Sequence, residues 1–108
     1  MTSLSRREEQ VLLSIWTLKD NAYLISIKTH LSELTKSEWS ISAVQKPLLQ
    51  LEGKGFIATF MGEASNVRGG RRKKMCEITA QGVDALKSLK EEQEILWEEF
   101  MKSEIKIV

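Results

Sequence analysis

Several residue types that carry chemistry are scarce in this chain of 108 residues: it has one Cys (Cys76), one His (His30), one Pro (Pro47) and one Tyr (Tyr23). A single Cys excludes an internal disulfide framework and suits a reducing compartment. One His and one Cys do not make a four-ligand zinc site, and neither HExxH nor CxxC spacing occurs, so no metal is expected. With no GxSxG and no phosphate-cradling glycine loop, no nucleophile–base set can be assembled, which argues against an enzyme and implies no cofactor. No apolar run approaches the ~20 residues of a membrane span, and the start, Met1 to Glu9, is polar. The expectation is a cytoplasmic protein without a membrane partner.

What is present is near the globular average, 42% hydrophobic and 29% charged, so a disordered or fibrous chain is excluded. The length fits one small domain, or a smaller one plus a long helix. The net charge of +1 hides an asymmetry. Residues 1–74 hold twelve Lys/Arg against seven Asp/Glu, a balance of +5, and residues 75–108 hold four Lys against eight acids, a balance of −4. The bulk charge therefore says nothing about nucleic acid, whereas its distribution points to a basic front portion and an acidic tail.

Periodicity divides the chain into helices and one hairpin. Ser5 followed by Glu8 fits a capping box, and Val11, Leu12, Ile15 and Trp16 then mark one face of a helix to Leu18. Asp20–Asn21 breaks the pattern and caps a second helix with Leu24, Ile27, Leu31 and Leu34 on one face, ended by Thr35-Lys36-Ser37. Trp39-Ser40-Ile41 is long enough only for an edge strand. Ser42 is the expected cap of a third helix, with Val44, Leu48 and Leu51 inward and Gly53 and Gly55 as its left-handed stop. Phe56 to Met61 and Arg72 to Ile78 read as two strands around a loop, and Thr79 caps a last helix from Ala80 to Lys102. The fold class is therefore mainly α with a small β-hairpin: a winged helix-turn-helix over residues 1–78, then a C-terminal dimerisation helix within 79–108.

In this order, EEQVLLSIWTLKDNAYLISI, WSISAV, LLQLEGKGFI, RGGRRKK and ITAQG make the sequence resemble the PadR-like family of bacterial transcriptional regulators over almost its whole length. The resemblance implies a homodimeric winged-helix repressor whose C-terminal helix dimerises. This chain departs from the family pattern at four places. Leu24 follows the Ala-Tyr pair where Gly is usual, Gln45 replaces an aromatic, Pro47 lies inside the third helix, and Met75 and Cys76 stand for two Tyr.

The strongest chemical signal is Arg68, Arg71, Arg72, Lys73 and Lys74, five cations in seven residues with no acid among them. In a wing they suit phosphate or narrow-minor-groove contacts, the bland alternative being a solvated charge run. On the third helix Gln45, Lys46 and Gln50 lie off the apolar face and have the chemistry to read base edges, whereas Ser40, Ser42 and Tyr23 suit phosphate. An ordinary polar helix face is the alternative there. Pro47 has no amide for the Ala43 carbonyl, so an irregular first turn is expected. Double-stranded DNA with a palindromic operator is the partner this implies.

On the last helix Leu86, Leu89, Leu96, Trp97, Phe100 and Met101 form a stripe larger than a small body buries, interrupted by Gln93. A symmetric dimer covers such a stripe. Folding back on Val11 and Trp16 is the intramolecular alternative. Trp16, Trp97 and Phe100 also have two readings. They are core residues or, as in some relatives, a surface between C-terminal helices that takes a planar aromatic effector. Cys76 reads as an inert buried thiol, with a redox sensor as the alternative that the nearby Lys73 and Lys74 keep open. The rival in a different class is a winged helix used as a protein-interaction module without sequence-specific DNA binding.

Overall fold

The computed structural model describes residues 4–62 and 72–103. The elements are α1 (Arg6–Leu18), a 3₁₀ turn (Lys19–Asn21), α2 (Leu24–Thr35), α3 (Ile41–Gly53), β1 (Ile57–Met61), β2 (Lys74–Ile78) and α4 (Ala80–Lys102). This is the mainly helical winged arrangement that the residue pattern implies. Three helices surround one core of Val11, Leu12, Ile15, Ile27, Val44 and Leu51, each at most 1% exposed, extended by Ala22, Leu31, Trp39, Ile57 and Cys76.

Local chemistry sets the element ends. Ser5 accepts from the Glu8 amide at 3.1 Å while Glu8 Oε1 accepts from the Ser5 amide at 2.7 Å, closing the expected capping box on α1. Glu8 is also buried, and its carboxylate accepts from Lys54 Nζ at 2.7 and 3.0 Å, tying the start of α1 to the end of α3. Burial acts to raise the pKa of Glu8, but the bonds from Lys54 and Ser5 outweigh it and the carboxyl titrates below its ordinary range. The remaining buried polar residue, Ser14, bonds to His30 Nδ1 at 2.7 Å, so His30 is a half-buried brace between α1 and α2.

β1 and β2 pair antiparallel, from Ile57 opposite Ile78 to Met61 opposite Lys74. A third short extended segment joins them, at a place the residue pattern does not indicate. Tyr23 bridges Met75, and the Cys76 amide donates to the Ala22 carbonyl at 2.8 Å. Trp39–Ile41 is not a strand: Ser40 rather than Ser42 caps α3, its Oγ accepting from the Ala43 amide at 3.1 Å. Tyr23, not Asp20 or Asn21, occupies the cap position of α2, and the Ser26 hydroxyl accepts from its amide at 2.9 Å. Of the two glycines expected to stop α3, Gly53 is its last residue and only Gly55, at φ 76°, has the left-handed backbone. Leu34, placed on the inner face by periodicity, is 67% exposed because the α2 face has turned away by its last turn.

Pro47 lies in the seventh position of a helix that is continuous from Ile41 to Gly53, so the irregular first turn is not observed. Pro47 is itself buried. The missing amide leaves the Ala43 carbonyl without its usual helical donor, a local cost that the buried ring offsets through packing.

Candidate nucleic-acid interface

α3 is two-sided. Val44, Pro47 and Leu51 are buried, while Ser42, Gln45, Lys46, Leu49 and Gln50 are exposed. At 100° per residue, Ser42, Gln45, Lys46 and Leu49 fall along one outward strip, with Gln50 at its edge. The strip thus has amide, ammonium and hydroxyl groups around one exposed leucine, a combination able to meet base edges and a thymine methyl. Ser40 is committed to its cap and lies 3.2 Å from the Ser42 hydroxyl, so the two serines sit together at the start of the helix.

Two hollows flank the strip. On the hairpin side, Gln45, Leu49 and Lys74 share a hollow of about 140 Å³ with Leu24 and Thr59. The loop-side start of β2 is fixed there by Lys74 to Glu52 at 3.7 Å, and the other Glu52 oxygen accepts from the Thr59 hydroxyl. On the opposite side, Ser42, Lys46 and Gln50 share a hollow of about 390 Å³ with Ser5 and Arg7 of the α1 start. Residues distant in sequence therefore meet along both edges of α3.

The basic run is only partly within the described residues; Arg68 and Arg71 lie outside them. Arg72 donates from Nε to the Gly62 carbonyl at 2.8 Å and from Nη2 to the Met61 carbonyl at 3.4 Å, bracing the two strand ends. Lys73 Nζ stands 4.1 Å from the Tyr23 ring centroid. Tyr23 and Lys73 are thus one unit on the hairpin side, in a cation–π contact that sequence spacing does not show. All three cations of residues 72–74 are exposed.

The candidate interface residues of α4 divide into two groups. Leu86 packs on the core and Leu89 is half-buried, whereas Leu96, Trp97, Phe100 and Met101 are between 53% and 73% exposed, as is the adjacent Ile95 at 63%. Gln93, the break in the stripe, donates to Glu9 Oε2 at 3.3 Å, so a polar residue holds α4 against α1. Trp97 and Phe100 meet edge to face, with centroids 5.5 Å apart and an interplanar angle of 86°. Trp16 is 58% exposed and lines a separate hollow of about 460 Å³ with Phe60, Ile78 and Glu77. Within one chain the three expected effector residues therefore do not share a hollow: Trp97 and Phe100 line one with Leu96, and Trp16 lines the other.

Arg7 is the residue near α3 that sequence patterns do not single out. Its guanidinium carbon lies 4.7 Å from the Trp39 ring centroid, beside the start of α3. Its only local signal is the Arg6–Arg7 pair in the basic front; its place depends on how α1 packs on α3. Cys76 is buried in β2, and burial pushes its thiol above the usual range, which suits the inert role expected of it. Among the described residues no cluster of His, Cys, Asp or Glu has the arrangement of a metal site, and no helix is long and apolar enough to cross a membrane.

No family model matches the sequence, and no curated protein does. Solved structures do. A PadR-like transcription factor from Bacteroides fragilis superposes with a TM-score of 0.73 at 20% identity, covering 86% of this chain and 84% of that one. A PadR family transcription regulator from Clostridium difficile is 26% identical, with a TM-score of 0.65 over 84% of this chain and 91% of that one. A PadR-like transcriptional regulator from Bacillus cereus gives 0.69 at 20% identity, over 90% and 92%. This likeness shows that the chain has the fold of these PadR-like regulators, the fold that the resemblance in its motifs implies.

Proposed function

We propose, taking as premise that this chain has the fold of PadR-family regulators, that it is a DNA-binding transcriptional repressor acting as a homodimer. The observation that carries the reading is the two-sided α3. A buried apolar side fixes the helix to the body, and the exposed strip of Ser42, Gln45, Lys46 and Gln50 lies beside Lys74 at the loop-side start of β2, which Arg72 and Lys73 precede. The strip would enter a major groove, with Gln45 and Gln50 suited to adenine and Lys46 to guanine. Ser40, Ser42 and Tyr23 would meet phosphate, and Arg68 and Arg71 would extend the cationic wing. In this reading residues 1–78 are the reading head, and residues 79–108 join two heads through Leu96, Trp97, Phe100 and Met101. Leu86 and Leu89 would continue that surface toward the body.

Binding of purified protein to its own upstream DNA across a salt series, with scrambled competitor, tests the reading. Competitor-resistant binding that weakens steeply with salt, with a dyad-symmetric footprint, is the expected result. Binding indifferent to sequence would favour a protein-interaction module instead. For the effector, the edge-to-face Trp97–Phe100 pair is the motivating feature, and Trp16 would have to come from the second subunit to join it. A planar cationic dye should quench Trp fluorescence and release DNA. Unchanged quenching in Trp97→Ala would remove Trp97 from the site.

A further inference from the structure

We infer that Arg7, held over the ring of Trp39, is a phosphate clamp that docks the start of α3 on the DNA backbone, with Trp39 as its positioning residue. This rests on the DNA-binding reading but adds a contact on the side of α3 opposite the hairpin. Trp39 is 7% exposed and fixed twice: its indole Nε1 donates to Thr35 Oγ1 at 3.0 Å, and its amide donates to Ser32 Oγ at 3.1 Å. Both anchors are on α2, so the ring is a rigid shelf between α1, α2 and the α3 cap. The Arg7 guanidinium stands over that shelf, 4.7 Å from its centroid.

An arginine stacked on an aromatic keeps its N–H fork available while losing much of its conformational freedom, the state suited to two-pronged phosphate recognition. Among the described residues no carboxylate pairs with Arg7. Glu8 is taken by Lys54, Glu9 accepts from Gln93, and Glu38 faces Lys28 at 3.7 Å. Arg7 borders two hollows, one of about 450 Å³ that it lines with Arg6, Thr35, Ser40 and the exposed Glu38, the other the hollow shared with Ser42 and Lys46. A backbone running past the start of α3 would meet Arg7, the Ser42 hydroxyl and Lys46 in turn. With the hairpin cations on the other edge, the helix would be gripped from both sides of one groove.

The test uses the full chain and a fluorescein-labelled duplex enriched from a random pool by the wild-type protein. Arg7→Gln should lower the slope of log affinity against log salt by about 0.9 per subunit, the loss of one phosphate contact, with a several-fold loss of affinity. Arg7→Lys should retain the slope. Trp39→Phe, which keeps an aromatic shelf, should retain it too, and matched melting curves show that each variant is folded. Replacing single phosphates by neutral methylphosphonates should weaken wild-type binding at one position per half-site and leave Arg7→Gln indifferent there. Equal slopes and equal methylphosphonate penalties in wild type and Arg7→Gln would overturn the clamp while leaving DNA binding standing. A pool that yields no bound duplex would overturn both.

Discussion

Between Thr79 and Leu89, α4 is held on one side by the rest of the chain; from Ile95 to Met101 its apolar side chains face solvent. At the near end the Thr79 hydroxyl donates to the Gly55 carbonyl at 2.7 Å, and its amide donates to the Phe56 carbonyl at 3.0 Å. Gly82 and Ala85 are buried, and Leu86 packs on the core. At the far end Leu96, Trp97 and Met101 are all more than three-fifths exposed. One helix thus passes from a closed surface to an open one, with the Gln93–Glu9 bond at the boundary. The comparison separates what makes one chain fold from what is left over for a second chain. The near half has every feature of a finished interior, and the far half has the composition of one without the neighbours.

The sharpest test of that division begins with a deletion in the closed region. Leu12→Ala empties a fully buried position in the closed region and should cost about 2–5 kcal/mol in urea unfolding. A loss below ~1 kcal/mol would mean that the core tolerates collapse there. The junction gives the next effect. A Cβ on Gly82 would stand 2.2 Å from the Phe56 carbonyl oxygen and 2.8 Å from Ile78 Cγ1. Backbone cannot yield as a flexible side chain does, so Gly82→Ala should destabilise by about 1–3 kcal/mol and lift the start of α4 off the hairpin. An unchanged melting temperature would show that α4 is not seated on Phe56 as described.

The same division decides what was legible in the sequence. Helix limits and caps that depend on nearest neighbours, such as the Ser5–Glu8 box and the Thr79 cap of α4, follow from local chemistry and are found where the residues put them. The winged arrangement followed from element order. What sequence spacing misplaced depends on contacts between distant segments. Ala22–Tyr23 becomes strand-like only because β2 arrives beside it, and Trp39 becomes a shelf because α1 crosses over it. Ser42 and Ser40 are chemically equivalent caps, and only the helix itself decides between them. At the candidate site, the outward polar residues of α3 are a matter of helical period. The Lys73–Tyr23 contact and the place of Arg7 are not, since each joins segments far apart in the chain.

The buried ion pair at the start of α1 gives a smaller and pH-dependent effect. Because the Glu8 carboxyl titrates lower in the folded protein than in the unfolded chain, its contribution is complete above the unfolded value of 4.5 and fades as pH falls through the folded value. Glu8→Gln should cost about 1–2 kcal/mol at pH 7, less than the roughly 3–5 kcal/mol of fully buried pairs, because Lys54 stays partly solvated at 39% exposure. The variant should also show a flatter loss of stability below pH 4.5 than wild type. Parallel acid-unfolding curves for the two proteins would assign the pH dependence elsewhere.

The open half of α4 should give the smallest effect on one chain and the clearest effect on two. Leu96→Ala with Met101→Ala removes apolar groups that are already 65% and 73% exposed, so little burial is lost within the chain. At high dilution the double variant should unfold within about 0.5 kcal/mol of wild type. Wild-type stability should rise with protein concentration, because a partner that binds only the folded chain adds to it by mass action, and that dependence should vanish in the variant. Sedimentation should show the variant at the mass of one chain where wild type runs as two. A concentration-independent wild type would mean that the exposed stripe serves something other than a second copy. A variant much less stable at high dilution would mean that the far end of α4 folds back on its own body, erasing the contrast between its two halves.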